Sequence, residues 1–387
     1  MSIPPEAGPP ALDACDDSGL VVARFGEIAL KGRNRPRFTE QLRLNIAERL
    51  RTCGIAAQVE KVEQRFYVHT ADPESAAEAL TRVFGVTSVS PAMRAPRDIA
   101  SIQQVALSEL VRGGFSERSS LRVEARRTYK DFPLTSPEIN QVVGAFLHGA
   151  LGGRVDLSKA ADFTVGIEIM RDHALVYARS LAGAGGMPVP LSGRVVCLMS
   201  GGLDSPVAAW MMMKRGCAII PLHLAQSEES KERFLALCEV LQQWSQGWRL
   251  RPIVLSHAEI MGDIRQRLLE NNAGRWTCLF CKRAMLRAAS EIAGRYKGQG
   301  IVLGDSLGQV ASQTLESMRI ISSGCELPIY RPLIGLDKVE VMALARKAGT
   351  YELSARHSAA CPYLPENPVT QASFAKFQAL LPLLGED

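Results

Sequence analysis

The sequence predicts a chain of several domains, α+β in its first half and α/β in its second, closing in a doubly wound parallel sheet. Three observations predict it. The 387 residues suffice for two or three domains of about 100–200 residues each. The first half alternates short strands with amphipathic helices, whereas the second repeats fully apolar strands, each followed by a helix. Between them lies Ala182-Gly183-Ala184-Gly185-Gly186-Met187-Pro188-Val189-Pro190, glycine- and proline-rich as linkers are.

Val21 to Phe25 is a short apolar run and reads as a strand. From Asn34 to Arg51, Phe38, Leu42, Ile46 and Leu50 recur every fourth residue, the spacing of a helix face. Val59 to His69 has strand composition, and Pro73 to Val83 reads as a second helix. This grammar suggests a small ferredoxin-like α+β unit. A second α+β block follows. Ile102 to Arg112 is helical and Leu121 to Arg126 alternates as a strand. Ser136-Pro137 starts a helix with proline at its first position. Phe163 to Met170 and His173 to Ser180 form a hairpin about Arg171-Asp172. After Arg194 the expected order is strand Val195–Met199, helix Pro206–Arg215, strand Ala218–Leu224, helix Lys231–Trp244, strand Pro252–Ser256, helix Lys282–Tyr296 and strand Ile301–Leu303. Apolar strands alternating with helices imply a parallel sheet covered on both faces.

Composition narrows the function classes. Apolar residues make up 47% and charged residues 22%, an ordinary globular balance. No apolar run reaches the roughly 18 residues of a bilayer span, and no membrane partner is expected. Met1 to Asp17 lacks the basic and apolar regions of a signal peptide, so a disordered leader and a cytoplasmic location are expected. The net charge of +5 is too small for a wholesale polyanion binder, so its distribution matters more. Residues 24–51 are basic and include Lys31, Arg33 and Arg35; Arg122, Arg126, Arg127 and Lys130 form a second cluster. Each cluster reads either as a solvated charged face or as an RNA surface. Nine cysteines without a secretory signal argue against a disulfide framework. Cys53, Cys197, Cys217 and Cys238 sit among apolar neighbours and read as core residues.

Two motifs carry chemistry. Ser200-Gly201-Gly202-Leu203-Asp204-Ser205 lies between the first apolar strand of the second half and a helix. Glycines allow a close approach of backbone amides, and the helix N-terminus favours an anion. No Gly-Lys-Ser/Thr follows, so this is not a Walker loop. It matches the S-G-G-x-D-S pattern of ATP pyrophosphatases and is expected to hold pyrophosphate. Cys278-Leu279-Phe280-Cys281, with Cys361 some eighty residues on, is the second motif. Such a pair is redox-active, binds zinc, holds an iron–sulfur cluster, or consists of two reduced core cysteines. His357 is a candidate fourth ligand.

At this point the chain resembles the tRNA 4-thiouridine synthetases. The resemblance rests on Gly26-Glu27-Ile28-Ala29-Leu30-Lys31-Gly32-Arg33-Asn34-Arg35 and Phe132-Pro133-Leu134-Thr135-Ser136-Pro137-Glu138-Ile139-Asn140. It also rests on Ser200 to Ala208, Ser306 to Thr314 and Arg331-Pro332-Leu333-Ile334-Gly335-Leu336-Asp337-Lys338. Five motifs in order cover about residues 21–372. The resemblance implies a ferredoxin-like N-terminal domain (18–75), a THUMP domain (76–182), a linker (183–193) and a PP-loop ATP pyrophosphatase domain (194–387). It implies that the first two domains bind tRNA through Lys31, Arg33, Arg35, Arg126, Arg127 and Lys130. It places ATP at Leu198, Met199, His223, Leu224, Gly304 and Gln313, with Lys282 or Arg283 as a basic partner, beside the loop residues Ser200, Gly201, Gly202, Asp204 and Ser205.

Two departures from the family pattern stand out. The chain ends at Asp387, soon after Cys361, so the C-terminal rhodanese domain of many relatives is expected to be absent. Gly304-Asp305 stands where Gly-Glu is usual. The rhodanese-lacking relatives share the CxxC and distant third cysteine, which implies that Cys278, Cys281 and Cys361 ligate an iron–sulfur cluster, 4Fe–4S or 3Fe–4S. The implied reaction adenylates uridine at tRNA position 8, using ATP and magnesium with Asp204 in the loop, and replaces O4 with sulfur. Sulfur comes from sulfide or a cysteine desulfurase, presented by the cluster or carried as a persulfide on Cys361. A homodimer is compatible with this reading. The alternatives are an amidating enzyme with the same loop, a non-catalytic tRNA binder, and a sulfur relay to thiazole biosynthesis.

Overall fold

In a computed structural model, the structure describes residues 19–356 and 361–382. The expected leader and His357 lie outside the described residues. The chain divides into two compact units. The first comprises the chain up to Ala23, Leu50–Glu78 and Val89–Leu181; the second comprises Arg24–Arg49, Ala79–Ser88 and the chain from Ala182 onward.

The first half supplies β1 (Gly19–Phe25), α1 (Arg35–Thr52), β2 (Ala57–Val62), β3 (Arg65–Thr70), α2 (Pro73–Leu80) and β4 (Val86–Ala95). It continues with α3 (Ile99–Arg112), β5 (Ser120–Arg127), α4 (Ser136–Leu151), β6 (Arg154–Val155), β7 (Phe163–Ile169), β8 (Ala174–Tyr177) and β9 (Leu181–Ala182). Their strands form one sheet in the order β2-β3-β1-β4-β8-β7-β5-β6, with β9 on β4. Leu42, Ile46 and Leu50 of α1 are buried, as their spacing by four requires. α4 starts on a capping box in which Thr135 and Glu138 bond reciprocally. The single strand expected over Val59–His69 is a hairpin. It turns at Glu63, whose φ of 53° is left-handed, and pairs Val62 with Arg65. Cys53, expected in the core, is exposed just past the end of α1, whereas Cys197, Cys217 and Cys238 are buried.

The second half supplies β10 (Arg194–Leu198), α5 (Asp204–Lys214), β11 (Ala218–Ala225), α6 (Glu228–Gln242), β12 (Ile253–Ser256), α7 (His257–Glu270) and α8 (Thr277–Tyr296). After these come β13 (Ile301–Val302), α9 (Leu315–Ser322), β14 (Ile329–Tyr330), α10 (Lys338–Ala348), α11 (Tyr351–Ser354) and α12 (Phe374–Leu380). The five strands are all parallel, in the order β12-β11-β10-β13-β14. Strand side chains alternate between faces. Val195 and Cys197 of β10 therefore join one core with Trp210 and Phe234, while Val196 and Leu198 join another with Leu279 and Ile292. Helices cover both faces, which makes the sheet doubly wound. Within this same unit the basic N-terminal stretch is anchored. Glu27 accepts two bonds from Arg215 (2.8 and 2.7 Å), Asn45 donates to the Val189 carbonyl (2.9 Å), and Glu48 accepts from the Gly247 amide (2.7 Å). Among the described residues no helix is long and apolar enough to cross a membrane.

Candidate active site

Ligands of doubly wound sheets bind beyond the carboxyl ends of the strands, and the loop from Met199 to Leu203 leaves β10 there. Two serines tie it. The Ser205 hydroxyl accepts from the Ser200 amide (2.9 Å), and the Ser200 hydroxyl accepts from the Gly202 amide (3.2 Å). Neither Gly201 nor Gly202 has a positive φ, so space, not an unusual turn, is what glycine supplies. A Cβ at Gly201 would lie 2.8 Å from the Arg233 side chain, and one at Gly202 would meet only the Ser200 hydroxyl at 3.4 Å. α5 then begins with no side-chain cap, whereas Ser227, Ser256, Thr314 and Asp337 each accept an amide at the starts of α6, α7, α9 and α10. The first amides of α5 are left for an anion.

Two cavities adjoin at this loop, and Met199, Ser200, Gly202 and Met285 line both. The smaller, about 250 Å³, is further lined by Leu198, Asp204, Ser205, Lys282, Gly304, Asp305 and Gln313. Gly304 is there for proximity, because a Cβ would stand 2.7 Å from the Ser205 backbone. Asp305 is 5% exposed. It takes Lys282 Nζ at 2.9 Å and Arg331 Nε at 3.2 Å, and Gln313 Nε2 at 3.3 Å. Burial pushes its carboxyl up, but Lys282, Gln313 and Arg331 outweigh burial and hold it below the usual carboxylate range. The Asp305 carboxylate thus fixes the lysine that reaches the cavity. Gln313 Oε1 is buried without a partner among the described residues, an acceptor turned to no protein donor. Asp204 pairs with Lys338 Nζ at 2.9 Å and faces Gln309 Nε2 at 3.5 Å.

The pair Lys282/Arg283 resolves into one cavity residue. Successive helical residues point about 100° apart, so α8 cannot aim both at the cavity, and Lys282 is the one that lines it. Arg283 turns away, donating to the Ser323 carbonyl and hydroxyl, its guanidinium 5.3 Å from the Phe377 ring.

The larger cavity, about 510 Å³, runs from Ser200, Gly201 and Gly202 past His223, Leu224 and Gln226 to His257, Cys281 and Pro362. His223 is a structural member of it. Its Nδ1–H donates to the Met199 carbonyl (2.8 Å), Nε2 faces the Ser230 hydroxyl (3.2 Å), and the ring stacks on Phe234. Burial lowers its pKa, so the imidazole is neutral and holds the loop's first residue.

Cys278 and Cys281 lie one helical turn apart on α8, and Cys361 accepts from Gln226 Nε2 at 3.3 Å. Burial, then the neighbouring Cys361, raises the Cys278 thiol. Burial, then Cys361 and Cys278, pushes Cys281 up to about 12. The three sulfurs are therefore within electrostatic reach of one another, and Cys278 and Cys281 rest as thiols. Among the described residues, no three His, Cys, Asp or Glu side chains converge as a metal site does.

Outside this site, the candidate RNA residues divide. Arg33, Arg126 and Lys130 are exposed, and Lys31 lies over the Phe38 ring at 5.4 Å, with Arg35 half-buried. Arg127 turns inward and donates to the carbonyls of Lys130, Phe132 and Leu134 (3.3, 3.2 and 3.1 Å). His257, Asp305, Arg331 and Lys338 line or brace the site but were not singled out as site residues in the sequence; the last two fall within a motif quoted only for resemblance.

Comparison with known proteins agrees with this architecture. Family models match residues 20–90 as the ThiI ferredoxin-like domain, 96–179 as a THUMP domain, and 191–381 as "Thiamine biosynthesis protein (ThiI)". The chain is 39% identical over 374 residues to a probable tRNA sulfurtransferase of Thermococcus kodakarensis, covering 95% of this chain and 98% of that one. It is 40% identical over 359 residues to one of Methanocaldococcus jannaschii, covering 91% and 93%. A crystal structure of a 4-thiouridine synthetase–RNA complex with bound ATP superposes with a TM-score of 0.81 at 29% identity, over 95% and 96% of the two chains. With identities of 39–40% over nearly the whole length and all three domain types in order, the chain belongs to the ThiI family of tRNA sulfurtransferases.

Proposed function

We propose that this chain binds ATP and tRNA, adenylates O4 of the uridine at tRNA position 8, and replaces that oxygen with sulfur to give 4-thiouridine. The observation that carries the reading is the pair of adjoining cavities. One is ringed by an uncapped helix start, Lys282 and Asp305; the other leads from the same loop to Cys281. Activation and sulfur delivery thus have separate walls and a shared loop.

The chemistry follows from poor leaving ability. The uracil C4 oxygen attacks the α-phosphorus of ATP, the bond to the β-phosphate breaks, and pyrophosphate departs into the loop of Ser200–Ser205. Amides at the start of α5 receive its charge, and Lys282 neutralises charge on the phosphoryl group being transferred. Asp204, whose side chain is 24% exposed, would hold magnesium, which would supply positive charge to the phosphate oxygens. Sulfur then attacks C4 and AMP leaves with the former O4.

Cys278, Cys281 and Cys361 fit an iron–sulfur cluster in kind, being three thiols in electrostatic reach, and binding would displace their protons. When bound, such a cluster would supply a coordination position for sulfide, a soft ligand.

A second reading is favoured by the place of Cys361, which accepts from Gln226 Nε2 at 3.3 Å beside the cavity that Gln226 and Cys281 line. Cys361 takes sulfane sulfur from a donor persulfide, whose own thiol is freed. The terminal sulfur attacks C4 as AMP leaves. The Cys281 thiolate then attacks the Cys361 sulfur, the S–S bond to the base breaks, and the thiouridine is released. A Cys281–Cys361 disulfide remains, and a dithiol reductant resets it.

The test is release of pyrophosphate from ATP that depends on tRNA, measured beside thiouridine formation. Native protein that releases none with folded tRNA present would overturn the adenylation reading. Metal-free protein thiolating as fast as iron-reconstituted protein would decide for the persulfide.

A further inference from the structure

His257 opens α7, is 1% exposed, and lines the larger cavity. A core histidine satisfied by its surroundings looks like His223, with both nitrogens partnered. His257 differs. Its Nε2 lies 3.2 Å from Cys281 Sγ, and its buried Nδ1 has no partner among the described residues. The ring face packs on Tyr363, with centroids 4.8 Å apart and planes tilted by 43°. Arg265, two turns along the same helix, places its guanidinium 5.6 Å from the Tyr363 ring. Tyr363 stands two residues after Cys361. One imidazole therefore touches Cys281 directly and holds the Cys361 segment through an aromatic contact.

We propose that His257 is a positioning residue for sulfur transfer, setting the Cys281 sulfur and the Cys361 segment against the same cavity so that both thiols face the activated base. This rests on the functional reading above and holds for either route of sulfur. Partners of this kind fix the direction of a reacting or ligating group. A displacement of about 1 Å can cost about a hundredfold in rate.

The experiment reads thiol placement independently of catalysis. Reduced full-length protein carrying Cys278→Ala is treated with dibromobimane, in which two thiolates displace two bromides and the bridged product fluoresces; peptide mapping identifies the bridge. A Cys281–Cys361 bridge is expected with His257 present, and its yield should fall several-fold in His257→Ala. His257→Phe keeps the ring on Tyr363, and His257→Gln keeps a hydrogen-bonding nitrogen toward Cys281. Each should recover part of the yield, and these two carry the test if the alanine variant does not fold. On a native Cys278 background, His257→Ala should lower kcat for thiouridine while KM for ATP and tRNA-dependent pyrophosphate release stay close to native. Undiminished bridging in folded His257→Ala, or no bridge with His257 intact, overturns the proposal. Loss of pyrophosphate release in His257→Ala alone would also overturn the proposal, whereas protein with native His257 that releases none would overturn the functional reading instead.

Discussion

The loop Ser200–Ser205 and the basic stretch Arg122–Lys130 both suggest anion binding in the sequence, yet they are built differently. In the loop, every residue lines one or both of the two cavities, and the glycines and serines have separable tasks. In the basic stretch, Arg122 and Arg126 share Glu124 at 3.1 and 2.7 Å, and Arg127 braces its own loop. A motif fixes an order of residue types between a strand and a helix, and that order encodes geometry. A count of charges encodes no direction, so it does not separate cations engaged by the fold from those facing outward.

The largest effect should come from the loop. Asp204→Ala removes the carboxylate that pairs with Lys338 at the start of α5. Pyrophosphate release should fall by about 10²–10³, the usual loss when stabilisation of developing charge is removed, here the magnesium that Asp204 would hold. Affinity for tRNA should stay near native in a gel-shift titration. Cys361→Ala should do the opposite within the same site, keeping pyrophosphate release while thiouridine disappears. If both variants lose pyrophosphate release equally, activation and sulfur delivery are not separable and the two-cavity description fails.

The next effect is on stability and has a sign in pH. Asp305→Asn leaves Lys282 and Arg331 without their shared anion. Losing one member of a buried pair costs about 3–5 kcal/mol. With the Lys282 side chain 29% exposed, about 1–3 kcal/mol is the reasonable expectation. The carboxyl's folded pKa is lowered, so its contribution is fully present above the unfolded value near about 4 and is lost as pH falls through the folded value. Denaturant midpoints measured from pH 6 downward should show native protein losing more than Asp305→Asn below about pH 4. Parallel curves would mean that Asp305 contributes nothing through its charge.

Much of this was legible because the physics was local. The apolar strands of the second half, the α5 loop and the buried face of α1 follow from period and order alone. What was not legible depends on partners far along the chain. β4 carries Ser88, Ser90 and Pro91 inside a ten-residue strand, and only its neighbours in the sheet make that tolerable. The β2–β3 turn uses Glu63 in a left-handed conformation, with no glycine or asparagine to announce it. Arg283 looked equivalent to Lys282 until helix rotation separated them. His257 is a lone histidine in sequence; its meaning comes from Cys281, 24 residues away, and from Tyr363, over a hundred residues away. The three thiols form an intermediate case, since the spacing flagged them but could not say how they meet.

The smallest effects sharpen the contrast within the basic stretch itself. Arg126 is exposed and shares Glu124, so it can trade that partner for a phosphate. Arg126→Ala should flatten the dependence of log affinity on log salt by at most about 0.7–0.9, the contribution of one phosphate contact, and leave thermal stability unchanged. Arg127→Ala removes three bonds to the carbonyls of Lys130, Phe132 and Leu134. Water can replace part of them because the segment is near the surface, so the cost should be about 1 kcal/mol, seen as a lowered unfolding midpoint with the salt slope intact. Any loss of RNA affinity in Arg127→Ala should come indirectly, through loosening of Lys130 on that loop, and should shrink on cooling as the loop re-forms. Salt titrations of the two variants at two temperatures check this. Equal flattening of the slope by both substitutions would mean that Arg127 also reaches phosphate and that the bonds to its own loop are not what fixes it.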